Sequence, residues 1–282
     1  MLSLSNCYLS DSIDSTLLKL QSLSIIRLNN NNFSTPIPDF FTNFTKLTSL
    51  HLSSSGLINT LPRKIFQQVP TLEILDLSNN VLLHGPLPDF PQSGSLRTLV
   101  LSNTNFHGTL SDSIGNLTKL SRIDLSNCKI SGSMPRSIEK LTQLLYLDMS
   151  SNRFTGPIPS FSMAKNLTHI NLSRNDLIGQ ITSTNWEELL NLVSLDLRYN
   201  SRNGSILISL FSLPLLRTLE LSNNQFFGQL NEIPNVSSHL LDTLDLSSNN
   251  LEGSIPMSVF ELRSRSSVPL TFFKQIQWLV AA

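Results

Sequence analysis

The chain has 282 residues, of which 54 are Leu, 44 Ser and 27 Asn, so three residue types fill 125 positions. Twenty basic side chains balance twenty acidic ones and only 14% of residues are charged, which argues against a nucleic-acid binder that works by displacing counterions from a basic surface. An apolar content of 40% with zero net charge equally argues against a disordered chain.

So narrow a bias points to a short unit copied many times, the first thing to test in any sequence. Read from the N-terminus, LTSLHLSSSGL (47–57), LRTLVLSNTNF (96–106), LLYLDMSSNRF (144–154), LRTLELSNNQF (216–226) and LDTLDLSSNNL (241–251) share Leu-x-x-Leu-x-Leu-x-x-Asn-x-Leu. The Asn slot is occupied in turn by Cys7, Asn31, Ser55, Asn80, Thr104, Cys128, Asn152, Asn175, Asn200, Asn224 and Asn249, at intervals of 23 to 25 residues. This is a leucine-rich repeat in about eleven copies, covering residues 1–262. Leu-x-Leu alternates as a strand with one buried face requires, and a strand so short buries its leucines only by stacking on its neighbours. The fold class predicted is therefore an α/β repeat solenoid, curved and right-handed, with a parallel sheet on its concave face. The Asn amide just past each strand is expected to satisfy buried backbone groups.

Downstream, most copies continue Leu/Phe-x-Gly-x-Ile/Leu-Pro, as in ISGSMP (130–135), FTGPIP (154–159) and LEGSIP (251–256). Gly85, Gly108, Gly132, Gly156, Gly179, Gly204, Gly228 and Gly253 hold one position, which suits a turn with positive φ. Pro38, Pro62, Pro88, Pro135, Pro159 and Pro256 end the extended piece that follows. The rest of each copy, such as DSIGNLTK (112–119) or RSIEKLTQ (136–143), is expected to form a short helical or irregular turn on the convex side.

With the form LxxLxLSxNxLxGxIPxxIxxLxx, the repeat resembles the plant-specific class found in receptor-like kinases, receptor-like proteins and polygalacturonase inhibitors. LDLSSNNLEGSIP (244–256), ISGSMPRSI (130–138) and LDLRYNSRNGSI (195–206) are most similar to receptor-like proteins of the Verticillium wilt resistance type. That resemblance implies a non-catalytic recognition module, part of an extracellular ectodomain that senses pathogen or developmental ligands in plant defence. It implies a protein or peptide ligand, receptor-like kinase co-receptors, and a plasma-membrane parent. A polygalacturonase-inhibitor role is the rival reading, although the Cys-paired caps of those proteins are lacking. A truncated product without independent function is the third.

Two regions depart from the repeat. Leu2 and Leu4 fill strand positions of a first copy whose opening Leu would precede Met1, and residues 1–30 do not read as a secretory leader, so none is expected in this stretch. Residues 263–282 show no Leu-x-x-Leu-x-Leu and end in an apolar run too short to span a bilayer. The chain is therefore expected to be part of a longer receptor, reaching the membrane only through a segment it does not contain.

Candidate chemistry is sparse. Cys7 and Cys128 share a slot five rungs apart, roughly 24 Å at ~4.8 Å per rung. That is far beyond bridging distance, so both are expected to be free, buried, structural thiols. His51, His84, His107, His169 and His239 have no metal-ligand spacing, and neither a cofactor nor a metal is implied. The strand-face position reads Arg27, His51, Asp76, Val100, Asp124, Asp148, Asn171, Asp196, Glu220 and Asp245. Asp124 and Asp148 on adjacent rungs could form a carboxylate pair, but a structural row neutralised by Arg122, Arg174, Arg198 and Arg217 is the more economical reading.

The same face is where a partner would bind. Rungs six to ten present Arg122, Asp124, Tyr146, Asp148, His169, Asn171, Arg174, Asp196, Arg198, Tyr199, Arg217 and Glu220, a set rich in the Tyr and Arg that dominate interface hot spots. Rung nine also carries Arg202 in an apolar slot, where an unpaired charge is costly. Sequons for N-glycosylation occur at Asn32, Asn43, Asn116, Asn166, Asn171, Asn203 and Asn235, with Asn43, Asn116 and Asn166 on the expected convex side. Asn171 lies on the strand face, where a glycan would obstruct the candidate patch.

Overall fold

The computed structural model describes residues 1–181, 184–233 and 240–261. Within them, the strand pieces of all eleven copies stack in chain order into one parallel sheet running from Leu2–Ser3 through Ile25–Arg27, Ser49–His51 and onward to Thr243–Asp245. Neighbouring strands pair at equivalent repeat positions: Leu147 lies beside Ile123 and Ile170, and Asp148 beside Asp124 and Asn171. The two apolar residues of each Leu-x-Leu thus form continuous columns. In interior rungs they are fully buried, as at Leu75 and Leu77, Leu147 and Met149, or Leu195 and Leu197. In the first rung Leu4 is 39% exposed, and in the last Leu244 and Leu246 are only partly buried, because each copy needs a neighbour on both sides.

The Asn slot does what its chemistry requires. Asn152 accepts a hydrogen bond from the Ile130 N–H at 3.0 Å and donates to the Leu125 and Met149 carbonyls at 2.7 and 3.2 Å. Asn31, Asn80, Asn175, Asn200, Asn224 and Asn249 repeat the arrangement, each tying its own turn to the preceding rung. Thr104 and Cys128 keep part of it: the Thr104 hydroxyl donates to the Leu101 carbonyl at 2.8 Å, and the Cys128 thiol points at the same oxygen.

A second parallel sheet, of nine strands among the described residues, runs from Ile58–Asn59 to Asn250–Glu252 and was not anticipated as a sheet from sequence. It is built by the Leu-x-Gly segments, such as Lys129–Ser133 and Asp176–Gln180. The eight repeat glycines all take positive φ, between 73° and 95°. Most of the remaining stretches close as short 3-10 turns, including Asp112–Asn116 and Arg136–Lys140, which bury Ile114 and Ile138 respectively, and Ile65–Gln68 and Met257–Glu261 form short α-helices instead. Gly115 is required there for space: a Cβ would sit 2.4 Å from the Ser137 carbonyl oxygen of the next rung.

The two cysteines are free, but their environments differ from expectation. Cys128 is buried between rungs, and burial raises its thiol pKa. Cys7 is exposed, because its slot lies in the outermost rung. The expectation of two buried thiols therefore holds for one of them. The 263–282 tail, Asn235 and His239 lie outside the described residues.

Candidate ligand-binding face

The strand face is set by a turn device repeated along the solenoid. In the Leu-Asp-Leu-Ser phrase the Asp side chain folds back on its own rung. Asp76, Asp124, Asp148 and Asp245 each accept from the backbone N–H two residues on and from that serine's hydroxyl, the latter at 2.6–2.7 Å. Asn171 does the same with Ser173. The acidic row is thus a set of turn caps, and this supports the structural reading of Asp124 and Asp148 over a catalytic pair. Asp124 is further held by Arg122 at 3.4 Å, while Asp148 accepts from the Asn171 amide at 3.2 Å. Burial raises the Asp148 pKa, with the Asp124 charge a lesser cause.

Each cap leads into a residue with a left-handed backbone just before the Asn slot. At all eleven rungs that residue has φ between 51° and 58°. Asn or Ser fills nine of them, from Asn6 to Ser248; the exceptions are Arg174 and Tyr199, on consecutive rungs. Asn tolerates this conformation through local hydrogen bonding, whereas other L-residues lose roughly 1–2 kcal/mol.

Side chains on rungs six to ten then gather into three groups. The Arg122 guanidinium lies 3.8 Å from the Tyr146 ring centroid, and the His169 ring stands 5.9 Å beyond Tyr146 on the next rung. Burial, then the charges of Asp148 and Asp124, raise the Tyr146 pKa. The Arg174 guanidinium sits 4.4 Å over Tyr199, whose side chain remains 45% exposed. Arg198 replaces the usual Ser and reaches Asp196 at 3.0 Å and Glu220 at 2.8 Å, and its hydrogen bonds to Asp196 raise its pKa further.

The expected neutralisation of the acidic row is therefore divided. Arg122 and Arg198 carry it out; Arg174 stacks on an aromatic ring instead, and Arg217, one residue before its strand, pairs with Asp242 at 3.2 Å outside the row. Arg217 thus stands apart from the other eleven candidate residues. Arg202 is fully buried, donates to the Ile178 and Gln180 carbonyls at 2.6 Å each, and leaves its Nε without a partner; burial lowers its pKa to about 10. It is a backbone clamp between two rungs of the second sheet and not a surface contact.

Among the sequons, Asn32, Asn43, Asn166 and Asn203 are exposed, Asn116 is half-buried, and Asn171 is committed to the cap and to Asp148. Among the described residues no cluster of three His, Cys, Asp or Glu side chains is placed to hold a metal ion, and no helix is long and apolar enough to cross a membrane.

Family models described as leucine-rich repeat match residues 94–154 and, for a second model, 22–44, 71–93, 215–240 and 240–262. Receptor-like protein 39 of Arabidopsis thaliana is 34% identical over 212 residues, which is 74% of this chain and 24% of that protein. Receptor-like protein 6 of the same plant is 34% identical over 106 residues, 38% of this chain and 11% of that protein. The chain belongs to the leucine-rich repeat family, in its plant receptor-like class. This leucine-rich repeat chain spans about a tenth to a quarter of the length of those relatives. Its fold is similar to that of a TDR receptor, with a TM-score of 0.78 and 28% identity over 89% of this chain and 47% of the other. It is also similar to the Arabidopsis receptor kinase HAESA, solved in complex with the peptide hormone IDA and the co-receptor SERK1, with a TM-score of 0.68 and 30% identity over 89% of this chain and 50% of that one.

Proposed function

We propose that these repeats form the ligand-recognition part of the extracellular region of a plant receptor-like protein at the plasma membrane. The ligand is a peptide or small protein of pathogen or developmental origin, and the signal passes through partner receptor kinases. The observation that carries the reading is the strand face of rungs six to nine. There Arg122, Tyr146 and His169 occupy a strand position that holds Ile, Ser or Thr from rung two to rung five and from rung nine onward, and Arg198, Arg174 and Tyr199 occupy turn positions that are otherwise Ser or Asn. Tyr and Arg presented on a rigid, extended sheet are what a protein-binding surface needs, since little conformational entropy is lost when they are covered. HAESA, a similar fold, is a receptor kinase with a peptide hormone and a co-receptor bound.

The test is a receptor carrying these repeats, expressed in leaf cells that lack it and challenged with microbial culture filtrates and apoplastic peptide fractions. Calcium influx is the readout. Tyr146→Ala is expected to abolish a response that the unmodified receptor gives, at equal abundance on the cell surface. An undiminished response with Tyr146→Ala and Arg122→Ala together would overturn the reading.

A further inference from the structure

We infer that Arg174 is a specificity contact, reading a carboxylate side chain, Asp or Glu, on an extended peptide laid across rungs eight and nine. The inference rests on the peptide-binding reading above and adds the chemistry of one ligand position.

Three observations converge on it. The first is conformational. The left-handed position before the Asn slot is Asn or Ser on nine rungs, and the two departures are adjacent, at Arg174 and Tyr199. Strained residues that the repeat itself does not require belong where a side chain has a task. The second is electrostatic. Among the described residues the Arg174 guanidinium forms no ion pair, whereas Arg122, Arg198 and Arg217 each hold a carboxylate. Arg198 also bridges both neighbouring acids, Asp196 and Glu220, and so offsets one of their two charges, and neither carboxylate is paired with Arg174. Asp148, two rungs before Tyr199, is engaged by Ser150 and Asn171. The third is geometric. The Arg174 guanidinium carbon lies 4.4 Å over the centre of the Tyr199 ring, a contact that holds the group in place on an exposed residue. A planar fork held by a ring is preorganised for a carboxylate, which it binds through two parallel N–H···O bonds. A Lys ammonium over the same ring would present a point charge and no two-pronged fork.

Stacking alone would not call for this arrangement. A residue chosen only to complete the turn would be Asn, as at Asn127 or Asn223. Structural and functional roles therefore make opposite predictions for Arg174→Asn. If Arg174 only served the fold, the substitution would lower stability or leave it unchanged; if it serves a ligand, the substitution relieves strain while removing the contact.

The full chain, secreted from eukaryotic cells and immobilised, is panned against a displayed library of short random peptides joined to a carrier at both ends, so that only side chains supply carboxylates. Recovered peptides are expected to be enriched in Asp and Glu over the unselected library. Arg174→Asn is expected to bind them at least roughly tenfold more weakly while melting at a higher temperature. Exchanging the peptide's Glu for Gln should lose the same factor against the unmodified protein and nothing against the variant. Peptides recovered without acidic enrichment, or bound equally by Arg174→Asn, overturn the inference and leave peptide binding standing. Recovery of no peptide by either protein overturns the peptide-binding reading itself.

Discussion

Asn152→Ala removes the side chain that ties rung seven to rung six, and the cost can be counted group by group. The Asn152 amide serves the Ile130 N–H and the Leu125, Met149 and Ser150 carbonyls in the buried interior, and the Ser150 carbonyl also accepts from the Asn127 N–H at 2.9 Å. Met149 keeps a second donor, the Asn175 amide at 3.0 Å, so it stays satisfied. The Ile130 N–H and the Leu125 carbonyl lose the group that reaches them. At ~1–3 kcal/mol for each of the two stranded buried polar groups, the expected loss is about 2–6 kcal/mol. That is a large share of the ~5–15 kcal/mol by which a typical domain is stable. Asn152→Thr should cost less, about 1–2 kcal/mol, because a hydroxyl in this slot still donates to a carbonyl, as Thr104 does to Leu101 at 2.8 Å. Equilibrium urea unfolding followed by circular dichroism measures both. The reasoning is refuted if Asn152→Ala loses under about 1 kcal/mol, or if Thr is no better tolerated than Ala.

Other consequences are as direct. Leu147→Ala empties a fully buried column position and should lose about 2–5 kcal/mol in the same urea assay. Gly115→Ala drives a methyl to within 2.4 Å of the Ser137 carbonyl oxygen, whereas Gly228 has nothing within 4 Å; thermal melts should show Gly115→Ala as the more damaging of the two. Ellman's reagent should titrate one thiol, Cys7, in the native protein and a second, Cys128, only on denaturation. Burial raises the Cys128 pKa, so its stability contribution is intact below the unfolded thiol value and is lost as pH rises from there through the raised folded value. Cys128→Ser should accordingly flatten the alkaline limb of a stability-versus-pH curve.

The repeat register was legible because a column of leucines in a stacked solenoid admits only one period, and every interior Leu-x-Leu proved buried. The eight glycines could be assigned for the same reason, since their φ values exclude most other residues. The second sheet was not read, because its strands alternate an apolar residue with polar ones over only two to five positions, too few to distinguish a strand from a turn. Cys7 was misplaced because its slot is buried only where a neighbouring rung covers it. At the candidate face the sequence names residues for the strand side but does not show which of them pair. Whether Arg174 would neutralise an Asp or stack on Tyr199 depends on the left-handed backbone at both, which turns the two side chains toward each other across the rungs. The capping role of the aspartates was also hidden, because Asp and the Ser two residues on meet only when the turn is formed.

Ligand engagement by the strand face is tested most directly by photo-crosslinking. A benzophenone side chain placed at position 146 on the strand face, or at exposed position 107 on the second sheet, is introduced into the receptor in responsive plant tissue. The tissue is irradiated after elicitor treatment, and the repeats are digested and sequenced by mass spectrometry. An elicitor-derived peptide joined at position 146 and absent at position 107 is the predicted result. Adducts at position 107 with none at position 146 would contradict it.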